Sequence, residues 1–264
     1  MTRIGNLFGM LDRPAFIAYL VAGHPDRDGF LTAAQAVIGA GADILEIGMP
    51  FSDPVADGPT IQRAHSRALE QGMTVDRYFN SILEVRRFSE IPILLMVYCN
   101  TVYRRGVEQF YLEAKGAGAD GVLIVDMPPE EGERAVRAAR ESGLDQIFLV
   151  APSTSDQRLE RILKSAGGFV YLASLLGVTG ARARLSDDAS RLIARVRPYT
   201  RLPLAVGFGI SRPEHAAALR TAGADGVIVG SALVRIVEEY AGDPERMTNA
   251  IQEFIAGMRK ELEG

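Results

Sequence analysis

Apolar residues come in short blocks along this chain, separated by longer stretches in which apolar and polar positions alternate at helical spacing. The blocks lie near residues 15–22, 43–48, 92–98, 120–126, 146–151, 168–174, 202–207 and 225–230. They are rich in Val, Ile and Leu, as strands covered on both faces must be. Between them the helical period is clear over 107–115, 131–141, 157–165 and 188–196, and a final helix is predicted over 244–262. Ahead of the first block, Ile4, Leu7, Phe8 and Leu11 also follow helical spacing. A short helix there has two possible places, across the bottom of the sheet assembly or along its side.

A weak internal repeat narrows the architecture. GAGAD-ILEIG starts at Gly39, GAGAD-GVLIVD at Gly116 and TAGAD-GVIVGS at Thr221. In each copy a helix ends at a glycine, which takes the left-handed backbone that other residues adopt at a cost, and a buried strand follows. Recurrence of this turn among eight strands favours a closed (βα)8 TIM barrel of the α/β class, with an extra N-terminal helix, over an open doubly wound sheet. No low-complexity linker divides the chain, so one barrel domain over residues 1–264 is expected.

Composition excludes several classes. The only cysteine is Cys99, which rules out an internal disulfide and a Cys-rich zinc site and reads as a packing residue. The histidines, His24, His65 and His215, lack metal-ligand spacing, so no metal is expected. A net charge of −4 argues against nucleic-acid binding. No apolar run approaches the ~20 residues of a membrane helix. Asn6, Asp12 and Arg13 interrupt any secretory leader, so a soluble, cytoplasmic protein is expected.

In a barrel, chemistry collects at the carboxyl ends of the strands. The segments there are EIGMPFSDPVADGPTIQ (46–62), SLLGVTGARARLSDD (174–188), GFGIS (207–211) and GSALV (230–234). The last two suit a phosphate. Gly207, Gly209 and Gly230 permit close backbone approach, and Ser231 adds a hydroxyl where a helix begins. A dinucleotide fingerprint is not met, because Arg212 stands where its last glycine belongs. Ser211 and Glu214 fit a capping box.

Glu46 is the sharpest single residue. It sits in an apolar strand, where desolvation raises a carboxyl's pKa and readies it for proton transfer. A structural carboxylate held by one of the chain's many arginines fits the sequence equally well. Asp53 and Asp57 read either as functional or as turn residues of a Pro-, Asp- and Gly-rich loop. The polar run from Gly177 to Asp188 reads as a long loop able to close over a ligand, with Arg182 and Arg184 either near a phosphate or in solvent.

EIGMPFSDPVADGPTIQ, taken with YLASLLGVTGAR, GFGIS and GSALV, resembles the tryptophan synthase alpha chain family over essentially the whole length, in order and spacing. The resemblance implies a barrel that cleaves indole-3-glycerol phosphate to indole and glyceraldehyde 3-phosphate. It implies no cofactor in this chain and a pyridoxal-phosphate-bearing beta chain as partner, in an αββα complex. On this resemblance the catalytic residues are Glu46, the general acid/base, and Asp57, which accepts the indole N–H, with Tyr171 near the reacting hydroxyl. Tyr19, standing where some members carry Phe, joins Leu123, Val125 and Phe208 around the indole. Gly180, Gly209, Gly230 and Ser231 match the phosphate cradle. Thr179 matches a loop residue that closes onto the catalytic Asp, and Asp53 a contact with the beta chain. Leu175 departs from the family pattern, replacing an Arg.

Elementary chemistry agrees. Cleaving the bond from indole C3 needs a proton delivered to C3 and one removed from the neighbouring hydroxyl, and two carboxyls in different environments can divide that work. A Schiff-base aldolase needs an active-site lysine. The chain has only Lys115, Lys164 and Lys260, all in helical segments. A metal-dependent aldolase needs clustered ligands. Two alternatives share the fold: a phosphosugar isomerase or epimerase, and a barrel that only activates a partner. Neither accounts for PFSDP-x-ADGP together with Glu46 and Asp57.

Overall fold

The computed structural model describes residues 2–173, 181–207 and 209–264, with only the backbone described over 181–186. Each apolar block supplies a strand: β1 (Ala15–Val21), β2 (Ile44–Gly48), β3 (Ile93–Val97), β4 (Gly121–Ile124), β5 (Asp145–Val150), β6 (Val170–Ala173), β7 (Leu204–Gly207) and β8 (Gly226–Val229). All pair in parallel in sequence order, and β8 pairs with β1, so the barrel is closed. The predicted TIM barrel is what forms.

Strand alternation sorts the apolar residues into two layers. Phe16, Leu20, Leu45 and Ile47 pack outward against the helices. Ile17, Tyr19, Ile44, Leu94, Leu123, Ile147 and Phe169 fill the interior. Glu46 lies between Leu45 and Ile47 and therefore points inward with Ile44.

The N-terminal helix, Arg3–Phe8, covers the bottom of the barrel rather than its side. Ile4 is fully buried in the interior layer. A side chain at Gly121 would start 2.9 Å from the Ile4 Cδ1, so this glycine makes room for the helix. Phe8 packs on Phe169 at a ring separation of 5.7 Å. Thr2 caps the helix by accepting the Gly5 N–H, and its hydroxyl donates to Asp145 at the foot of β5.

The repeat has a structural reason that extends past its glycine. Gly41, Gly118 and Gly223 all have positive φ, at 88°, 94° and 83°. Two residues on, each aspartate accepts a backbone N–H from the start of the preceding strand: Asp43 from Phe16 at 2.7 Å, Asp120 from Ile93 at 2.9 Å and Asp225 from Leu204 at 2.7 Å. Each also pairs with an arginine, respectively Arg13, Arg86 and Arg197. Strands β1 and β2, β3 and β4, and β7 and β8 are thus clasped at the barrel's foot. Asp120 and Arg86 have side chains only 4% and 13% exposed. Asp120→Ala would remove the carboxylate shared by Arg86, Arg3 and the Ile93 N–H, leaving Arg86 charged on backbone carbonyls alone, and is expected to cost about 3 kcal/mol. Urea unfolding checks this: the midpoint falls while the m-value holds.

Two local readings are corrected. The segment after β6 is not loop up to Asp188, because a helix begins at Ala181 and runs to Val196. Ala, Arg and Leu in ARARL are good helix formers, and they carry the helix toward the barrel. Arg182 and Arg184 lie on its first turns, with side chains outside the described residues. Nor do Ser211 and Glu214 form a capping box. Pro213 opens that helix, which makes Arg212 the N-cap, and the Ser211 N–H donates to the His215 imidazole at 3.2 Å. Cys99 adjoins the core at a helix start, and burial pushes its thiol up to about 12, as suits a packing residue.

Candidate active site

The carboxyl ends of the strands surround a cavity of about 400 Å³. Tyr19 from β1, Glu46 from β2 and Tyr171 from β6 reach it from inside the barrel, and Asp57, Gly209, Gly230 and Ser231 reach it from the loops above. Met96, Ile228 and Ile61 supply apolar wall. Larger clefts of about 570 and 710 Å³ run between outer helices, where Arg27 pairs with Glu84 and Arg63 with Glu238. They gather no comparable set of inward-facing groups.

Glycines let the two tyrosines lie flat against the barrel wall. A Cβ on Gly48 would sit 2.7 Å from the Tyr19 Cζ, and one on Gly207 would sit 2.6 Å from a ring carbon of Tyr171. Gly207, read from sequence as phosphate-loop glycine, has this steric duty. Gly230 also lies under Tyr19, 3.2 Å from its Cδ1 by the same measure.

Glu46 is fully buried, and neither carboxylate oxygen has a hydrogen-bond partner among the described residues. Burial, and then the nearby charge of Asp57, push its pKa up to about 8. The arginine-held reading of Glu46 is thereby set aside, since a guanidinium partner would pull the pKa down. Near neutrality Glu46 is a proton donor in an apolar chamber. The Tyr19 hydroxyl is likewise buried without a partner among the described residues. The phenols of Tyr19 and Tyr171 are raised well above their ordinary value by burial, and the charges of Glu46 and Asp57 add to the rise.

Asp57 lies in the loop between β2 and the helix Pro59–Glu70 and is 7% exposed. It is held from several sides. The Tyr98 hydroxyl donates to its Oδ2 at 2.6 Å, and the Gln62 amide donates to its backbone carbonyl at 2.9 Å. Tyr98 also stacks on Phe51 at 4.8 Å, which packs the loop over the end of β3. Sequence reading passed over Tyr98. Its place directly after an apolar strand, across the barrel mouth from Asp57, was the available signal.

At the other end of the cavity, Gly209 adopts φ 74° and Gly230 caps the helix Ser231–Glu239 without a side-chain bond. Among the described residues no side chain caps the first turn of that helix, and the dipole favours an anion at its amides. Leu123 is fully buried in the interior layer and Val125 packs against that layer, but neither is part of the described cavity wall. Asp53 is exposed on the strand-two loop, beside Val55, which is 82% exposed. Thr179, Gly180, Phe208 and Leu175 lie outside the described residues.

An inward carboxyl poised near pKa 8, a second carboxylate fixed across an apolar chamber and an end suited to an anion fit an acid–base enzyme of the (βα)8 class. Comparison with known proteins gives the family. The tryptophan synthase alpha chain family model matches residues 10–263. The chain is 51% identical over 263 residues to the tryptophan synthase alpha chain of Methanoregula boonei, covering 100% of this chain and 99% of that protein. Tryptophan synthase of Mycobacterium tuberculosis superposes with a TM-score of 0.89 at 36% identity, over 99% of this chain and 98% of that one. A chain of the tryptophan synthase complex of Pyrococcus furiosus gives 0.86 at 40% identity, over 95% and 100%. The chain belongs to the tryptophan synthase alpha chain family.

Proposed function

We propose that this chain cleaves indole-3-glycerol phosphate to indole and glyceraldehyde 3-phosphate, as the alpha subunit of a tryptophan synthase. The observation that carries the reading is Glu46, a fully buried inward carboxyl with its pKa raised to about 8, facing the cavity that Asp57 also lines. Glu46 starts protonated and gives its proton to indole C3. The bond from C3 to the hydroxyl-bearing carbon breaks, its electrons returning to the ring. The Glu46 carboxylate then takes the hydroxyl proton as the aldehyde forms, so the residue ends as it began. Asp57 accepts the ring N–H and stabilises the positive charge that C3 protonation places on the indole. Tyr171 lies beside the reacting hydroxyl, and Tyr19 with Met96 and Ile228 bounds the aromatic ring. Leu123, Val125 and Phe208 complete that pocket. The phosphate sits on Gly209, Gly230 and Ser231 with Gly180, and Thr179 closes onto Asp57.

The chain works with side chains alone. Pyridoxal phosphate belongs to the beta chain, its partner in an αββα assembly, and Asp53 on its exposed loop is a contact to it. One structural relative belongs to the tryptophan synthase α2β2 complex of Pyrococcus furiosus. Among the described residues no helix is long and apolar enough to cross a membrane, and we place the enzyme in the cytoplasm. The test is direct: the purified chain is given indole-3-glycerol phosphate, with and without a beta chain, and indole is measured. Absence of indole in both cases refutes the reading. Because the acid form of Glu46 begins the reaction, kcat/KM is expected to fall above about pH 8. A profile still rising there would exclude Glu46 as the initial acid.

A further inference from the structure

His65 neither gives nor takes a proton in the proposed reaction, yet it is one of the most enclosed polar groups at the site. It projects from the helix Pro59–Glu70 with its side chain 2% exposed, against a side chain 1% exposed for Asp57. The Phe51 backbone N–H donates to its Nδ1 at 3.0 Å. An imidazole nitrogen that accepts a hydrogen bond carries no proton, so the ring is neutral and its single N–H is on Nε2. That Nε2 lies 3.4 Å from Asp57 Oδ2, the same oxygen that takes the Tyr98 hydroxyl, too far for a formed hydrogen bond, and among the described residues it has no hydrogen-bond partner. A long contact of this kind is common for catalytic groups before ligand binds and tightens in the complex.

We propose that His65 is a positioning residue for Asp57. The Phe51 amide fixes the tautomer, and the Nε2–H with the Tyr98 hydroxyl occupies Oδ2 and turns Oδ1 toward the substrate's ring N–H. Because the imidazole is neutral, it orients the carboxylate without cancelling the charge that faces the indole. This rests on the lyase reading, in which Asp57 receives that N–H.

Two substitutions separate positioning from mere support. His65→Asn keeps an acceptor for Phe51 and removes the donor toward Asp57, whereas His65→Gln extends an amide donor to where Nε2 stood. Steady-state kinetics on the full chain are paired with affinities for two probes. One is an indole with a three-carbon phosphate tail at C3, and the other is its benzothiophene counterpart, which lacks the ring N–H. His65→Asn is expected to lower kcat about tenfold with KM within about twofold, the size of effect a slightly misplaced catalytic group produces. It should also weaken the indole probe selectively, while His65→Gln recovers kcat to within about threefold of the parent. Equal weakening of both probes, or a His65→Asn variant with the parent's kcat and probe preference, overturns the proposal. Failure of the lyase reading is seen separately, as a parent chain that forms no indole while the probe affinities still report on His65.

Discussion

Replacing Glu46 by Gln is expected to lower kcat about 10³-fold, within the range general acid–base groups supply. The fold should survive, because Gln is nearly isosteric and neutral, and the carboxyl it replaces is neutral at acid pH. The same substitution has a stability signature. In the native state the Glu46 pKa is raised to about 8 from an ordinary 4.5, so between these values the native form holds a proton that the unfolded chain has lost. The parent protein is therefore expected to lose stability, roughly 1 kcal/mol per pH unit, as pH rises through that window. Above the window the full penalty of an ionised, buried carboxylate is present. Glu46→Gln lacks this slope, so the variant should be the more stable protein at pH 8 and the two should converge near pH 4.5. Chemical unfolding at a series of pH values, alongside indole release, tests both halves. A variant with near-parent activity removes Glu46 from the reaction, and parallel stability curves would refute its buried titration.

The second large effect is expected at Asp57. Asp57→Asn keeps size and hydrogen-bonding capacity but inverts half of it. The Tyr98 hydroxyl, which now donates to Oδ2 at 2.6 Å, will hold the amide oxygen and so turn the amide N–H₂ toward the indole N–H. A donor then faces a donor, and the negative charge is lost. A fall in kcat of about 10²–10³-fold is expected, the scale seen when one preorganised electrostatic partner of a transition state is removed. The two carboxyls are also coupled. The Asp57 charge is the second cause of the raised Glu46 pKa, so Asp57→Asn should move the alkaline limb of the residual pH profile to lower pH. A limb that does not move would show that burial alone sets the Glu46 pKa.

Much of the molecule was legible from residue order. Strands enclosed on both faces need unbroken Val-, Ile- and Leu-rich blocks, so all eight announced themselves. Glu46 stood out because a carboxyl in such a block demands a reason. Its direction was not legible: alternation allows two faces, and only closure of the barrel puts Ile44 and Glu46 inside. Tyr98 and His65 were missed for a related reason. Tyr98 stands at a strand's carboxyl end and His65 on a helix, but neither position names its partner, and Asp57 is 41 residues from Tyr98 along the chain. The AGAD turns were visible, but their arginines come from unrelated segments and carry no repeat. Position 207 was read as part of an anion loop, because sequence cannot distinguish a glycine that admits a phosphate from one that admits a neighbouring phenol ring.

The aspartate clasps at the barrel's foot divide the chain into cuttable and uncuttable stretches. Asp43 joins β2 to β1, Asp120 joins β4 to β3 and Asp225 joins β8 to β7. Breaks placed after β2 but ahead of Arg86, or between β4 and β5, leave both halves of every clasp on one covalent piece. A break between β3 and β4 asks two separate pieces to find each other across the Asp120–Arg86 contact. Two-fragment complementation should therefore succeed at breaks outside the clasped pairs and fail between clasped neighbours, a modular grain set at the end of the barrel farthest from its chemistry.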